Sequence, residues 1–191
     1  MRVEPSPPGA PEIVDGVLWD ADQIAERVRE MGTAISADYA GREVVLVTVL
    51  RGGLFFLSDL CRAVADPVRL DFMAISAYGA PGQGGGVRIT KDLDENIEGR
   101  DVLVVEDIID TGLTLNYLLG VLRSRKPASL QVAVLLDRDQ RRIADVPLAY
   151  RGFHMPDTFV VGYGLDLKGR HRNLPYVGVV RTDMLEQMEA G

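Results

Sequence analysis

The chain has a single cysteine, little lysine, no surplus of basic charge and no long hydrophobic run, and most of these shortages exclude something. A single thiol, Cys61, rules out an internal disulfide framework and suits a reducing cytoplasm. Its apolar neighbours favour a packed thiol over a nucleophile. No apolar stretch approaches the roughly 20 residues needed to cross a bilayer. Met1 to Pro11 is Pro-rich and polar, without the apolar centre of a signal peptide, and is expected to be a disordered arm. A basic surplus is also missing. The net charge of −7 argues against a nucleic-acid surface and leaves room only for a local basic pocket around a small anion. Neither nucleic acid nor membrane is expected as a partner. Lys91, Lys126 and Lys168 are the only lysines, so arginine carries most of the positive charge.

What is present is ordinary globular material, 47% hydrophobic and 26% charged over 191 residues, enough for one domain with a full core. Asp20 with Gln23 three residues on is a capping box. Ile24, Val28, Met31 and Ile35 then recur at helical spacing, and Gly41 lies beyond that helix. Val44 to Leu50 is a β-branched run typical of a strand buried on both faces, and Arg51-Gly52-Gly53 breaks it. Leu57, Leu60, Cys61 and Val64 mark a second helix. Val68 to Ser76 reads as a strand and Arg88 to Lys91 as its return. The segment from Tyr78 to Gly86 between them is too glycine-rich to fold by itself. Val102 to Val105 is a central strand, Leu115, Leu118, Leu119 and Leu122 a buried helix face, and Leu130 to Leu136 a further strand. This alternation predicts an α/β fold with a mainly parallel twisted sheet flanked by helices. Ligands sit beyond the carboxyl ends of such strands, where Arg51 to Gly53, Glu106 to Thr114 and Asp137-Arg138 all fall. From Phe153 onward aromatics, glycines and prolines alternate, as in a small irregular lobe over the crevice.

The chemistry concentrates after Val105. Glu106 and Asp107 are two carboxylates that repel unless hydroxyls or a divalent cation receive them. Sugar cis-diols and hydrated Mg²⁺ both fit. Asp110-Thr111-Gly112-Leu113-Thr114 then opens a helix, whose unpaired amides bind phosphate. Gly112 lets the backbone approach an anion, and Thr111 and Thr114 can add hydroxyls. By itself the turn is equally compatible with a simple N-cap. Asp-Thr-Gly also occurs in aspartic proteases, but those are all-β and pair two such acids. Here helical leucines follow, and no second copy exists in the chain.

Val104-Val105-Glu106-Asp107-Ile108-Ile109-Asp110-Thr111-Gly112 resembles the ribose-phosphate-binding signature of type I phosphoribosyltransferases. Phe159-Val160-Val161-Gly162-Tyr163-Gly164-Leu165-Asp166 and Arg172-Asn173-Leu174-Pro175-Tyr176 resemble the hypoxanthine-guanine branch, and the likeness runs from the first helix to Val180. The resemblance implies purine salvage, in which a 6-oxopurine base displaces pyrophosphate from phosphoribosyl pyrophosphate with Mg²⁺ as cofactor. It implies that Glu106 and Asp107 meet the ribose hydroxyls and metal. Asp110 would be the general base or proton relay beside purine N7, and Asp110, Thr111, Gly112, Leu113 and Thr114 would cradle the 5′-phosphate. Phe159 would stack on the purine, the backbone of Val160 would meet its exocyclic edge, and Arg138 would reach its 6-oxo group. Asp166 would support a second Mg²⁺. Arg172 and the backbone of Leu50-Arg51-Gly52 would hold pyrophosphate, with a cis Leu50–Arg51 peptide. Ala77 and Tyr78 would belong to a closing lid. The implied organisation is one domain over 12–191, with a core at about 40–137 and a hood from about 138–180 plus the N-terminal segment. The implied assembly is a homodimer or homotetramer in the cytoplasm.

Three positions depart from the family pattern. Arginine stands at 51 and 138 where lysine is usual, and Ala77 where Ser or Thr is common. Arginine is a larger planar fork, so the exchange at a close contact is not neutral. A regulator on the same fold, binding nucleotide or RNA, is the alternative that Arg138, Arg141 and Arg142 suggest. His154 and His171 read as surface residues.

Overall fold

A computed structural model describes residues 3–78 and 86–189. The chain starts with β1 (Glu4–Pro5) and β2 (Val14–Trp19), followed by α1 (Ala21–Asp38). The expected capping box is formed. Gln23 N–H donates to the Asp20 carboxylate at 2.8 Å and Asp20 N–H to Gln23 Oε1 at 3.0 Å. Ile24, Val28, Met31 and Ile35 are all buried. There follow β3 (Val44–Leu50), α2 (Leu54–Ala63), β4 (Val68–Tyr78) and β5 (Gly86–Lys91). The motif-bearing β6 (Asp101–Ile109), α3 (Leu113–Ser124) and β7 (Ser129–Asp137) come next. The last part holds β8 (Tyr150–His154), β9 (Val160–Val161), β10 (Val177–Val180) and α4 (Thr182–Glu189).

The main sheet has six strands in the order β5-β4-β3-β6-β7-β8, all parallel except the β4–β5 pair. Its central strands β3, β6 and β7 carry long buried apolar runs because both faces are covered there. Leu46, Leu103, Val105 and Leu135 point into the core that contains α1 and α2. Val47, Val102, Val104 and Val134 point the other way, onto the leucines of α3. Successive strand residues alternate between faces, so one continuous apolar run feeds two cores.

Two expectations change. The arm read as disordered instead contributes β1, which pairs with β2, and Ser6 Oγ donates to Val14 O at 2.9 Å. The lobe is not irregular throughout. β1, β2, β10 and β9 form a separate four-stranded antiparallel sheet. Moreover β8, within the stretch assigned to the hood, is the sixth strand of the main sheet and pairs parallel to β7. Its sequence, Tyr150-Arg151-Gly152-Phe153-His154, carries a glycine and no β-branched residue, so propensity conceals it.

Candidate active site

The site opens where the strand ladder separates. β3 and β6 pair only as far as Thr48 with Val105. β6 continues to Ile109 and keeps its bonds to β7 up to Asp137. Beyond Val105 one side of β6 is therefore free, and Glu106 and Asp107 lie on this half-paired stretch rather than past the strand end. Glu106 lines both halves of a crevice and Asp107 lines one of them. Burial raises the Glu106 pKa well above the usual carboxylate range, and the neighbouring Asp107 charge adds to this. Burial also pushes Asp107 up to about 6, against the opposing bond from Ile108 N–H and the Arg172 charge. The pair is undercompensated: two carboxylates with no cation bonded directly to either among the described residues.

One half of the crevice, about 210 Å³, is lined by Glu106, Asp110, Thr111, Gly112 and Thr114 among others. Gly112 is the N-cap of α3 with φ +77°, a backbone region costly for residues with a Cβ. Thr111 Oγ1 accepts only a long bond of 3.4 Å from Leu113 N–H. The first amides of α3 thus stay available, as the phosphate reading requires. Leu113 is exposed and, alone among the residues of this turn, does not line the crevice. Asp110 Oδ1 is buried without a hydrogen-bond partner, and its other oxygen lies 3.5 Å from Arg138 and 3.8 Å from Arg141.

The other half, about 420 Å³, is lined by Arg51, Gly52, Arg138, Phe159, Val160, Asp166 and Arg172 as well as the acids. The Leu50–Arg51 peptide is cis, as the resemblance implied. A Cβ on Gly52 would stand 1.9 Å from Asp107 Oδ2, so only glycine allows this loop against the acid pair. Arg138 is buried, and its guanidinium donates to Thr158 O and toward Asp110. Phe159 is 40% exposed, a ring left uncovered rather than packed in the core. Val160 is buried in β9. Asp166 accepts from Gly169 N–H at 2.6 Å and pairs with Arg172 at 2.7 Å, and Arg172 also donates to Gly164 O at 2.5 Å. The two halves share Val49, Ile75, Glu106 and Ile108, so they form one continuous crevice. Ala77 and Tyr78 pair with Val87 and Gly86 at the end of β4. Residues 79–85 of the expected lid lie outside the described residues.

Some neighbours were not legible. Arg141 bridges Asp110 and Asp157, the latter at 2.7 Å. His154, exposed as expected, sits 3.3 Å from Asp139 and 3.2 Å from Arg151. Asp137, Asp139 and His154 gather their ligand atoms within 4.8 Å of one another, but Asp137 is already paired with Arg142 and Arg151. Only β8 brings these together, and β8 left no sequence signal.

The chain is similar to known proteins over most of its length. A family model described as a phosphoribosyl transferase domain matches residues 18–168. A hypoxanthine-guanine phosphoribosyltransferase of Mycobacterium avium is 45% identical over 184 residues, covering 93% of this chain and 91% of that protein. Its Bacillus subtilis namesake is 42% identical, covering 91% and 97%. The crystal structure of a hypoxanthine phosphoribosyltransferase from Staphylococcus aureus superposes with a TM-score of 0.87 at 40% identity, covering 90% of this chain and 94% of that one.

Proposed function

The chain belongs to the phosphoribosyltransferase family, and on that premise we propose that it is a purine-salvage enzyme. It transfers the 5-phosphoribosyl group from phosphoribosyl pyrophosphate to hypoxanthine or guanine, giving IMP or GMP and pyrophosphate. The observation that carries this reading is the single crevice with a phosphate-type turn at one end, an uncovered Phe159 beside Arg138 at the other, and Glu106 and Asp107 between.

Each residue then has a task. The amides of the Asp110–Thr114 turn bind the 5′-phosphate and fix the ribose, so the anomeric carbon is held in place before reaction. Glu106 and Asp107 accept from the ribose hydroxyls and stabilise positive charge as the C1′–O bond to pyrophosphate breaks. Phe159 covers one face of the purine, and Arg138 donates to its 6-oxo group. As purine nitrogen bonds to C1′, the unpartnered Asp110 Oδ1 takes up the proton that the base releases. Arg172 and the backbone of Arg51-Gly52 receive pyrophosphate. Closure of the segment containing Ala77 and Tyr78 would keep water from the cationic centre.

The acid pair fits Mg²⁺, because burial holds the proton affinities of both carboxylates high, with the Asp107 charge adding at Glu106 and the Asp166 charge at Asp107, and a divalent cation relieves that. Glu106 and Asp107 would hold one ion through water. Asp166, already engaged by Arg172 and Gly169, would meet a second ion in the same manner. When bound, Mg²⁺ neutralises the departing pyrophosphate.

No helix among the described residues is long and apolar enough to cross a membrane, in keeping with work in the cytoplasm. A homodimer or homotetramer is part of this reading, and the exposed Leu54 and Phe55 of α2 supply apolar area for it. Nothing in the site favours a nucleotide- or RNA-binding regulator. A coupled assay of pyrophosphate release with hypoxanthine, guanine, xanthine, adenine and uracil tests the assignment. Turnover with hypoxanthine or guanine is expected, and turnover with uracil alone would overturn it.

A further inference from the structure

Asp137 ends β7 fully buried and lines neither half of the crevice. A carboxylate so placed is costly unless charged partners meet it. Two do: the Arg142 guanidinium bonds one oxygen, and Arg151 Nε lies 2.8 Å from the other. Arg142 does more than neutralise. Its Nε donates to the carbonyl of Asp110 at 3.1 Å, the residue that opens the phosphate turn. Its Cδ lies 3.0 Å from where a Cβ of Gly112 would be, so its stem covers the outer side of that glycine. The next two residues continue the grip, with Ile143 N–H and Ala144 N–H donating to Thr111 O at 2.9 and 3.0 Å.

We propose that Arg142, anchored by the buried Asp137, is a positioning residue for the 5′-phosphate. With Ile143 and Ala144 it holds the Asp110 and Thr111 carbonyls away from the crevice. A peptide turned so that its carbonyl is tied behind presents the following amide in front, and an anion site needs amides without carbonyls among them. The turn therefore does not bind phosphate through its own sequence alone. Segment 142–144 sets its orientation, and Asp137 sets the guanidinium. Charge assistance makes these bonds stronger and more directional than neutral ones.

This inference rests on the transferase reading, and its test separates the two. Arg142→Met keeps the stem over Gly112 and removes the donors. Binding of IMP and of inosine, which lacks only the phosphate, is measured by calorimetry for both proteins, with KM values for both substrates alongside. Expected is IMP binding at least tenfold weaker, inosine binding within twofold of the unsubstituted protein, a raised KM for phosphoribosyl pyrophosphate and an unchanged KM for hypoxanthine. An unchanged IMP-to-inosine ratio would overturn the positioning role, since a merely structural loss weakens both ligands together. If Arg142→Met does not fold, the same ratio is read on Asp137→Asn, which retains the shape and loses the charge. Failure of the unsubstituted protein to bind IMP at all would instead refute the transferase reading.

Discussion

Asp107 holds its buried carboxyl in a state that costs the folded protein stability. Its carboxyl is raised to about 6 mainly by burial, against about 3.9 in an unfolded chain. A raised carboxyl pKa destabilises the folded state where the unfolded chain is already ionised. The penalty is absent below about pH 4, grows between about 4 and 6, and is complete above that. The full shift corresponds to about 3 kcal/mol, and sharing the charge with Glu106 brings the expected effect to about 1–2 kcal/mol. Asp107→Asn should therefore be the more stable protein at pH 7.5 and lose that advantage at pH 4, while its turnover collapses. Urea melts across this range check the sign, and a variant less stable at pH 7.5 would contradict it. In the proposed reading Arg138 selects the base. Its guanidinium is fixed by Thr158 O and lies beside Asp110, so it would meet a purine edge without searching for it. Arg138→Ala should cut kcat/KM for hypoxanthine by about 10–100-fold, the worth of one charge-assisted bond, and erase the preference over adenine. Arg138→Lys should retain that preference. If Arg138→Ala leaves the preference intact, Arg138 is not the selector.

The elements show where sequence pattern succeeds and where it stops. α1 was readable to its cap, because Asp20, Gln23 and the apolar stripe are local features. Asp20→Ala should cost about 1 kcal/mol in thermal unfolding and leave turnover unchanged. α3 was equally clear from its leucines, and the value of Gly112 rests on φ +77°. Gly112→Ala adds about 1–2 kcal/mol of left-handed strain and places a methyl 3.0 Å from Ala144 O. We expect a KM for phosphoribosyl pyrophosphate about tenfold higher, with purine KM unchanged. An equal rise in both would place the damage in the whole crevice. β8 and the antiparallel hood sheet were not readable. β2 contains Gly16 and finds its partner β10 some 160 residues away, and β9 has only two residues. Such strands are made by pairing, and for β2 and β10 no short window of sequence contains both partners.

At the scale of the molecule, hood and sheet share one interior. Val160, Tyr163, Leu165 and Val177 of the hood lie in the same cluster as Ile24 and Ile35 of α1 and Phe56 and Leu60 of α2. Trp19, the single tryptophan, stacks on Phe153 of β8 with ring centroids 4.7 Å apart, so it reports on the junction of the two sheets. Unfolding should accordingly be one transition, with tryptophan fluorescence and far-ultraviolet circular dichroism coincident. Fluorescence changing well before helix content would mean that the hood melts alone.

By itself the sequence determined what contiguous residues can determine. The β-branched runs dictate buried strands, and the leucine and capping patterns dictate helices. The run from Glu106 to Thr114 carries its acids and its Asp-Thr-Gly turn within nine positions, so the family resemblance needs no distant partner to be recognised. Tertiary structure alone decided how that chemistry is presented. β3 leaves β6 after Thr48 and thereby uncovers the acid pair. β9 brings Phe159 to the crevice that Arg138 also lines. Arg142, paired with Asp137, reaches behind the turn to the Asp110 carbonyl, and the Ile143 and Ala144 amides reach that of Thr111. These are relations between residues on different strands and loops, and only closure of the sheet and its hood sets the distances among them.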